Sequence, residues 1–211
     1  MWLTRIDPNP RNRDARRDLT DAAQLHRRVM MLVPDGLGPQ ARHAAGVLFR
    51  VEETRSGVQI LAQTGLRPEP SRLPANYGQT AVRPLDPLLN ALDKGTVVRY
   101  RIAANTSKRL GRTSAHPGKV VALRGAAAEQ WWADRAERHG LAIRTLTAVR
   151  VSDAIGRHTG PAVRHAVTRF DGLAVVVDPD AVRTTIGDGI GRGKSYGCGL
   201  LSLALLSSPA R

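Results

Sequence analysis

The chain has 211 residues, in which 32 Lys and Arg side chains face 18 Asp and Glu, giving a formal net charge of +14. This length allows one large domain or two small ones that each bury a core. So large an excess of positive charge favours a polyanionic partner, with nucleic acid first. Only four of the basic residues are Lys, so an arginine-rich genome is the competing explanation.

Cysteine and histidine usage argues against a metal centre. The single Cys198 excludes an intramolecular disulfide, and the six His show no CxxC or HxxxH ligand spacing. The N-terminal residues 1–5 lack the apolar core of a signal peptide, and no apolar run reaches the roughly 18 residues of a membrane span. The sequence therefore predicts a soluble cytoplasmic protein without metal, cofactor or membrane contact.

The first part of the chain shows a β-α-β-β pattern. Alternating apolar residues predict a strand over residues 2–6, and apolar residues at helical spacing predict a helix over 19–32. Two apolar stretches, 47–51 and 58–62, are separated by polar residues and predict a hairpin.

A proline-rich stretch separates the two parts. Residues 66–90 contain five prolines, which cannot donate to a sheet ladder, so we expect a linker and the ragged end of a first domain. We also expect an edge strand at 80–82. We place the boundary near residue 90, which predicts domains over 1–90 and 91–211.

The second part also mixes strands and helices. We expect a polar, basic loop over 105–118. Further along the chain, Asp178-Pro179 is typical of the start of a helix. The other predicted elements are strands at 97–102, 120–123, 141–151, 162–168, 173–177 and 200–205, and helices at 126–139 and 178–186. Together the two parts predict an α+β fold of two tandem ferredoxin-like (RRM/RAMP-like) domains with antiparallel sheets.

A glycine-rich segment covers residues 187–199, with six glycines beside Arg192 and Lys194. Its Gly-Lys-Ser resembles the end of a P-loop, but that motif needs glycine at the position of Asp188 and a strand before the loop. We therefore reject a P-loop. The remaining interpretations are a loop whose backbone approaches a phosphate closely and a tight packed turn.

Four segments in chain order carry a family resemblance. They are residues 1–4, 16–27, 99–105 and 189–204. The sequence resembles the CasE family, which processes CRISPR precursor RNA in type I-E (Cascade) systems. The resemblance implies two ferredoxin-like domains and recognition of the repeat hairpin. It further implies a metal-independent cut at the 3′ base of that hairpin, with the product kept for a complex of Cascade-type protein subunits.

The resemblance places the family's catalytic histidine at His26. RNA supplies its own nucleophile, because a base can remove the 2′-OH proton and the oxygen can then attack phosphorus to leave a 2′,3′-cyclic phosphate. A histidine of ordinary pKa near 6.5 serves as base or acid at neutral pH, worth about 10²–10⁴-fold in rate. We therefore expect a metal-independent endoribonuclease.

One residue departs from the family pattern. The family carries a tyrosine one helical turn before this histidine, and here that position is Ala23. The second catalytic group stays open among Arg27, Lys194, Ser195 and Tyr196, with Lys194 preferred. Ala23 also keeps open a non-cleaving subunit that only binds hairpin RNA in a ribonucleoprotein complex.

RNA contacts are expected from basic residues around His26, in the 105–118 loop, around an expected hairpin near residues 150–169, and in the glycine-rich segment. The candidates are Arg16, Arg17, Arg27, Lys108, Arg109, Arg150, Arg157, His158, Arg164, Arg169, Arg192, Lys194 and Ser195, with His165 beside them.

Overall fold

The first sheet occupies the N-terminal part of the chain in the computed structural model, which describes residues 1–157 and 162–206. Its strands are β1 (Trp2–Pro8), β2 (Leu48–Thr54), β3 (Gly57–Thr64) and β4 (Gly78–Pro84). All pair antiparallel in the order β2-β3-β1-β4. The hairpin and the edge strand expected at 80–82 are confirmed, and an edge position tolerates the proline that ends β4.

Two helices lie in this region, of which only the second corresponds to the helix expected over 19–32, and the first was not expected. They are α1 (Arg13–Leu19) and α2 (Ala22–Met30), followed by the short α3 (Ala41–Ala44) and a 3₁₀ turn at Pro70–Arg72. The break has a local cause: the Asp21 carboxylate accepts hydrogen bonds from the backbone N–H groups of Ala23 at 2.9 Å and Gln24 at 3.4 Å. Such an N-cap starts a new helix.

The second part of the chain builds another antiparallel sheet. In chain order its elements are α4 (Asp86–Asn90), β5 (Val97–Asn105), β6 (Ser107–Arg109), β7 (Val120–Ala122), α5 (Ala126–Arg138), β8 (Leu141–Arg150), β9 (Ala154–Gly156), β10 (Val163–His165), β11 (Val167–Val176), α6 (Pro179–Asp188), a 3₁₀ turn at Lys194–Tyr196, and β12 (Leu201–Leu205). The sheet order is β12-β5-β11-β8, and β6–β7 and β9–β10 form separate two-stranded ribbons.

Two expectations for this part were wrong, and one short helix was not predicted. Residues 105–118 are not wholly a loop, because β6 pairs with β7. The short α4 was not expected. The strands predicted at 162–168 and 173–177 are instead β10 and the continuous β11. Gly172 lies within β11 at a close backbone approach, where an added Cβ would lie 1.9 Å from the Thr145 oxygen.

Each half has the ferredoxin-like strand order, with the first strand of the half between its third and fourth. The first core contains Ile6, Val29 and Phe49, and the second contains Trp132 and Phe170. The predicted fold class is confirmed, and the domain boundary near residue 90 stays a prediction. No helix within residues 1–157 and 162–206 is long and apolar enough to cross a bilayer.

A buried arginine joins the two sheets. Arg50 of β2 is only 2% exposed. Its Nη1 donates to the Leu200 carbonyl at 2.9 Å and to the Arg101 carbonyl at 3.3 Å, and its Nη2 donates to Ser202 Oγ at 3.0 Å. Glu52 balances its charge at 2.5 Å. Arg50 therefore fixes the orientation of the first half relative to the second.

Candidate active site

The helix α2 meets the glycine-rich segment of the second half. It contacts the 3₁₀ turn Lys194–Tyr196, and β9 contacts both elements. His26 lies on α2, so the structure brings its helix and Lys194 into one region although they are far apart in sequence.

The environment of His26 is apolar on one side. Its ring stacks on Phe49, with centroids 6.2 Å apart and planes at 21°. Its Nδ1 is buried and has no hydrogen-bond partner in the part of the chain that the structure describes. Burial, and then the charge of Arg42, lower the pKa of His26. The imidazole is therefore neutral at neutral pH, the form that accepts a proton.

Arg42 is a site residue that sequence reasoning missed. It lies on α3, and its Nη1 donates to the Val47 carbonyl at 3.1 Å, just before the strand that carries Phe49. Burial, and then the same Arg42 charge, also lower the pKa of Lys194. Nothing in the sequence pattern links Arg42 to these two groups, because only the tertiary fold brings them together.

Tyr196 lies beside the alanine that replaces the family tyrosine. A Cβ built on Gly156 would lie 2.4 Å from Tyr196 Cε1 and 3.3 Å from the Ala23 Cβ. The Tyr196 ring also packs edge-on against His165, with centroids 4.6 Å apart. Of the four candidates for the second catalytic group, Tyr196 is adjacent to Ala23, Lys194 and Ser195 share its 3₁₀ turn, and Arg27 is exposed on α2.

The glycine-rich segment is a tight turn anchored on β5. The Gly199 N–H donates to the Ala103 carbonyl at 2.7 Å. A Cβ at Gly197, whose φ is +82°, would lie 3.1 Å from Phe49 Cε2. The segment follows α6 and precedes β12, which is not the strand-to-helix setting of a P-loop. Close packing here positions Lys194 next to α2.

Several predicted RNA-binding arginines are engaged within the protein. Arg17 pairs with Asp14 and Asp18, Arg150 and Arg164 with Asp153, and Arg169 with Asp171. The Arg157 backbone N–H donates to Asp21 at 3.2 Å, and Arg109 Nη1 donates to the Gly118 carbonyl at 2.7 Å.

Other candidates are more open. Arg16, Arg27, Lys108 and Arg192 are exposed and have no ion pair within the described residues. His158 lies outside the residues that the structure describes. Within those residues, no group of three His, Cys, Asp or Glu side chains is arranged to hold a metal ion.

Comparison with known proteins shows the family of the chain. The family model described as "CRISPR associated protein" matches residues 1–204. The chain belongs to this family. It is 34% identical over 221 residues to the CRISPR-associated endoribonuclease Cse3 of Thermus thermophilus, covering 97% of this chain and 100% of that relative.

Solved structures of family members have the same fold. Cse3 bound to a 19 nt RNA matches with a TM-score of 0.85 and 32% identity, covering 97% of this chain and 100% of the other. A chain of a CRISPR RNA-guided surveillance complex, pre-nicking, matches with a TM-score of 0.72 and 43% identity, covering 98% and 100%. Cas6e from Escherichia coli K-12 shares the fold at 22% identity and a TM-score of 0.71, covering 98% and 100%.

Proposed function

We propose that this protein is a metal-independent endoribonuclease that cleaves the repeat hairpin of CRISPR precursor RNA and retains the product for a surveillance complex. The main observation behind this proposal is the position of His26. It lies on α2, which contacts the Lys194–Tyr196 turn, and its ring stacks on Phe49. The proposal is supported by 34% identity to an endoribonuclease and by structural matches to relatives bound to RNA and in a surveillance complex.

The residues suit transesterification. Neutral His26 takes the proton of the 2′-OH, the 2′-oxygen attacks the adjacent phosphorus, and the bond from phosphorus to the 5′-oxygen breaks. The products are a 2′,3′-cyclic phosphate and a 5′-OH. Lys194 is the preferred donor of the proton that the 5′-oxygen needs, and its cationic form also stabilises charge developing on the phosphate. Neither step requires a cofactor.

A repeat hairpin RNA incubated with the protein in EDTA tests this proposal. We expect cleavage with a cyclic phosphate at the new 3′ end, and no cleavage when the nucleotide before the cut is 2′-deoxy. His26→Ala should slow single-turnover cleavage by about 10²–10⁴-fold. His43→Ala, which removes an exposed histidine, is the matched control. Cleavage by His26→Ala at the wild-type rate would refute the assignment.

A non-cleaving RNA-binding subunit is the second candidate. It is favoured by Ala23, an apolar side chain that is only 5% exposed where the family pattern has a tyrosine. Tight binding of the hairpin RNA with no cleavage, with or without EDTA, would establish this alternative. If EDTA abolishes cleavage, the enzyme depends on a metal and the proposed chemistry is wrong.

A further inference from the structure

A basic cavity lies next to the candidate active site. It has a volume of about 430 Å³ and opens where the β6–β7 and β9–β10 ribbons meet the glycine-rich segment. We call it the ribbon cavity. Its polar lining residues are Asn105, Ser107, Asp153, Arg164, His165 and Arg192.

The ribbon cavity is adjacent to the His26 site but distinct from it. His26 does not line the cavity. Tyr196 connects the two regions, because it contacts His165 and belongs to the turn that contacts α2. The Tyr196 ring packs edge-on against His165, and a Cβ built on Gly156 would lie close both to that ring and to Ala23 of α2. An RNA strand that passes His26 is therefore within reach of the cavity.

The polar groups of the ribbon cavity are held in place. Asn105 is 7% exposed at the end of β5, and its backbone bridges to Arg192 in the glycine-rich segment. Its side-chain amide lies 2.6 Å from Nδ1 of His165, and this hydrogen bond fixes the orientation of the imidazole ring. Fixed donors of this kind bind a ligand with little loss of conformational entropy.

The charge of the ribbon cavity favours an anion. Asp153 accepts from Arg150 and from Arg164, the latter at 3.3 Å. Burial acts to raise the pKa of Asp153, but hydrogen bonds and charge from these two arginines outweigh it and keep the pKa below its ordinary value. The carboxylate is thus ionised and balanced. Arg192 is exposed and pairs with no carboxylate in the described part of the chain, so its positive charge remains for a ligand.

We propose that the ribbon cavity binds a phosphodiester linkage of the substrate RNA other than the one that is cut. Arg192 and Arg164 contact its oxygens, and Asn105, Ser107 and His165 supply hydrogen bonds. This inference rests on the proposed function, because it takes hairpin RNA as the ligand. The cavity volume lies within the range of about 300–1,000 Å³ typical of small-ligand sites, enough for a linkage and part of its nucleoside.

Binding measurements with RNAs that each carry one uncharged linkage test the proposal without any cleavage step. The probe is the repeat hairpin RNA with a 2′-deoxy nucleotide before the cut, carrying one uncharged methylphosphonate at each linkage around the cut in turn. Dissociation constants are measured for wild type, Arg192→Ala and Arg164→Ala. Arg55→Ala is the control, because that arginine is exposed in the distant β2–β3 turn.

We expect Arg192→Ala to weaken binding of the unmodified RNA by about tenfold, the usual effect of losing one charge-assisted hydrogen bond. A methylphosphonate at one particular linkage away from the cut should weaken RNA binding by the wild-type protein to the same extent. The same methylphosphonate should not weaken RNA binding by Arg192→Ala any further. Arg164→Ala should couple to that same linkage, and Arg55→Ala to none.

If the affinity losses caused by Arg192→Ala and by the methylphosphonate are additive at every linkage, and RNA is still bound, the ribbon cavity is not a phosphodiester site. The proposed function would remain intact. Coupling only at the scissile linkage would overturn it as well, because it would assign Arg192 to the His26 site. Failure of wild type to bind the unmodified hairpin would instead refute the proposed function itself.

Discussion

The ring of His26 stacks on Phe49 with centroids 6.2 Å apart. Phe49 belongs to the first sheet and is 1% exposed, while Gly197 of the second half packs against the same ring. The orientation of the candidate base therefore depends on contacts from both halves of the protein.

Replacing Phe49 should separate catalysis from stability. Phe49→Leu removes the aromatic support of His26, and we expect single-turnover cleavage to fall about ten- to hundredfold because a small misplacement of a base is costly. Phe170→Leu in the second core is the matched control, since it alters an equally buried ring away from His26. Thermal melting should show similar stability losses. Equal losses of cleavage in both variants would contradict the role of Phe49.

The pH dependence of cleavage should report the charge of Arg42. Since burial and Arg42 lower the pKa of His26, kcat/KM should rise with pH along a limb whose midpoint lies below the ordinary value of about 6.5. Arg42→Gln removes a repelling positive charge, so the pKa rises and the ascending limb moves to higher pH. Arg55→Gln should leave the profile unchanged. An unmoved limb, or a shift to lower pH, in Arg42→Gln would count against this interpretation.

A sulfur leaving group should reveal whether Lys194 donates a proton. Lys194→Ala should slow cleavage of ordinary RNA by about a hundredfold. An RNA with sulfur in place of the bridging 5′-oxygen releases a thiolate that needs no proton, so its cleavage by Lys194→Ala should approach the wild-type rate. His26→Ala should stay slow on both substrates. A Lys194→Ala defect that persists with sulfur would restrict Lys194 to stabilising the phosphate.

Gly156→Ala should displace Tyr196 from its place beside Ala23. The new Cβ would lie 2.4 Å from Tyr196 Cε1, so the ring must move. We expect slower single-turnover cleavage, by about tenfold or more, because the Lys194–Tyr196 turn shifts relative to His26. Gly111→Ala is the control, as its Cβ would meet nothing within 4 Å. Wild-type cleavage by Gly156→Ala would show that the position of Tyr196 is not needed.

Arg50→Met should destabilise the folded protein strongly. Glu52 keeps Arg101 at 3.1 Å, but the buried Leu200 carbonyl and Ser202 Oγ lose their donor, and an unsatisfied buried acceptor typically costs about 1–3 kcal/mol. Arg55→Met, on the same hairpin but exposed, should change the free energy of unfolding by less than about 0.5 kcal/mol. Urea denaturation measures both free energies of unfolding. Equal denaturation midpoints for Arg50→Met and Arg55→Met would show that the contacts of Arg50 between the two sheets do not stabilise the protein.

Regular patterns made most of the fold predictable, and local exceptions account for the errors. The β2–β3 hairpin follows from two apolar stretches around a polar turn. The start of α2 was placed too early because the helical spacing continues across Asp21, whose side chain caps the N-terminus of the helix that begins at Ala22. The sequence around Gly172 is typical of a turn, but the residue is held in a strand by neighbours on both sides.

The candidate site was only partly accessible from sequence. His26 and Lys194 followed from the family resemblance and from the glycine pattern. Arg42, Phe49 and the contact between Tyr196 and Gly156 have no signal in chain order, because each contact joins segments that are distant in sequence and meet only in the folded protein. The roles assigned to His26 and Lys194 stay predictions until the variants are measured.

The hydrogen bonds by which Arg50 joins the two sheets affect how related sequences should be compared. Two of its acceptors are the main-chain oxygens of Arg101 and Leu200. Every amino acid offers such an oxygen, so substitutions at positions 101 and 200 leave these hydrogen bonds possible. Correlated substitution at positions 101 and 200 will therefore not reveal these two hydrogen bonds, and a relative with different residues there can still form them.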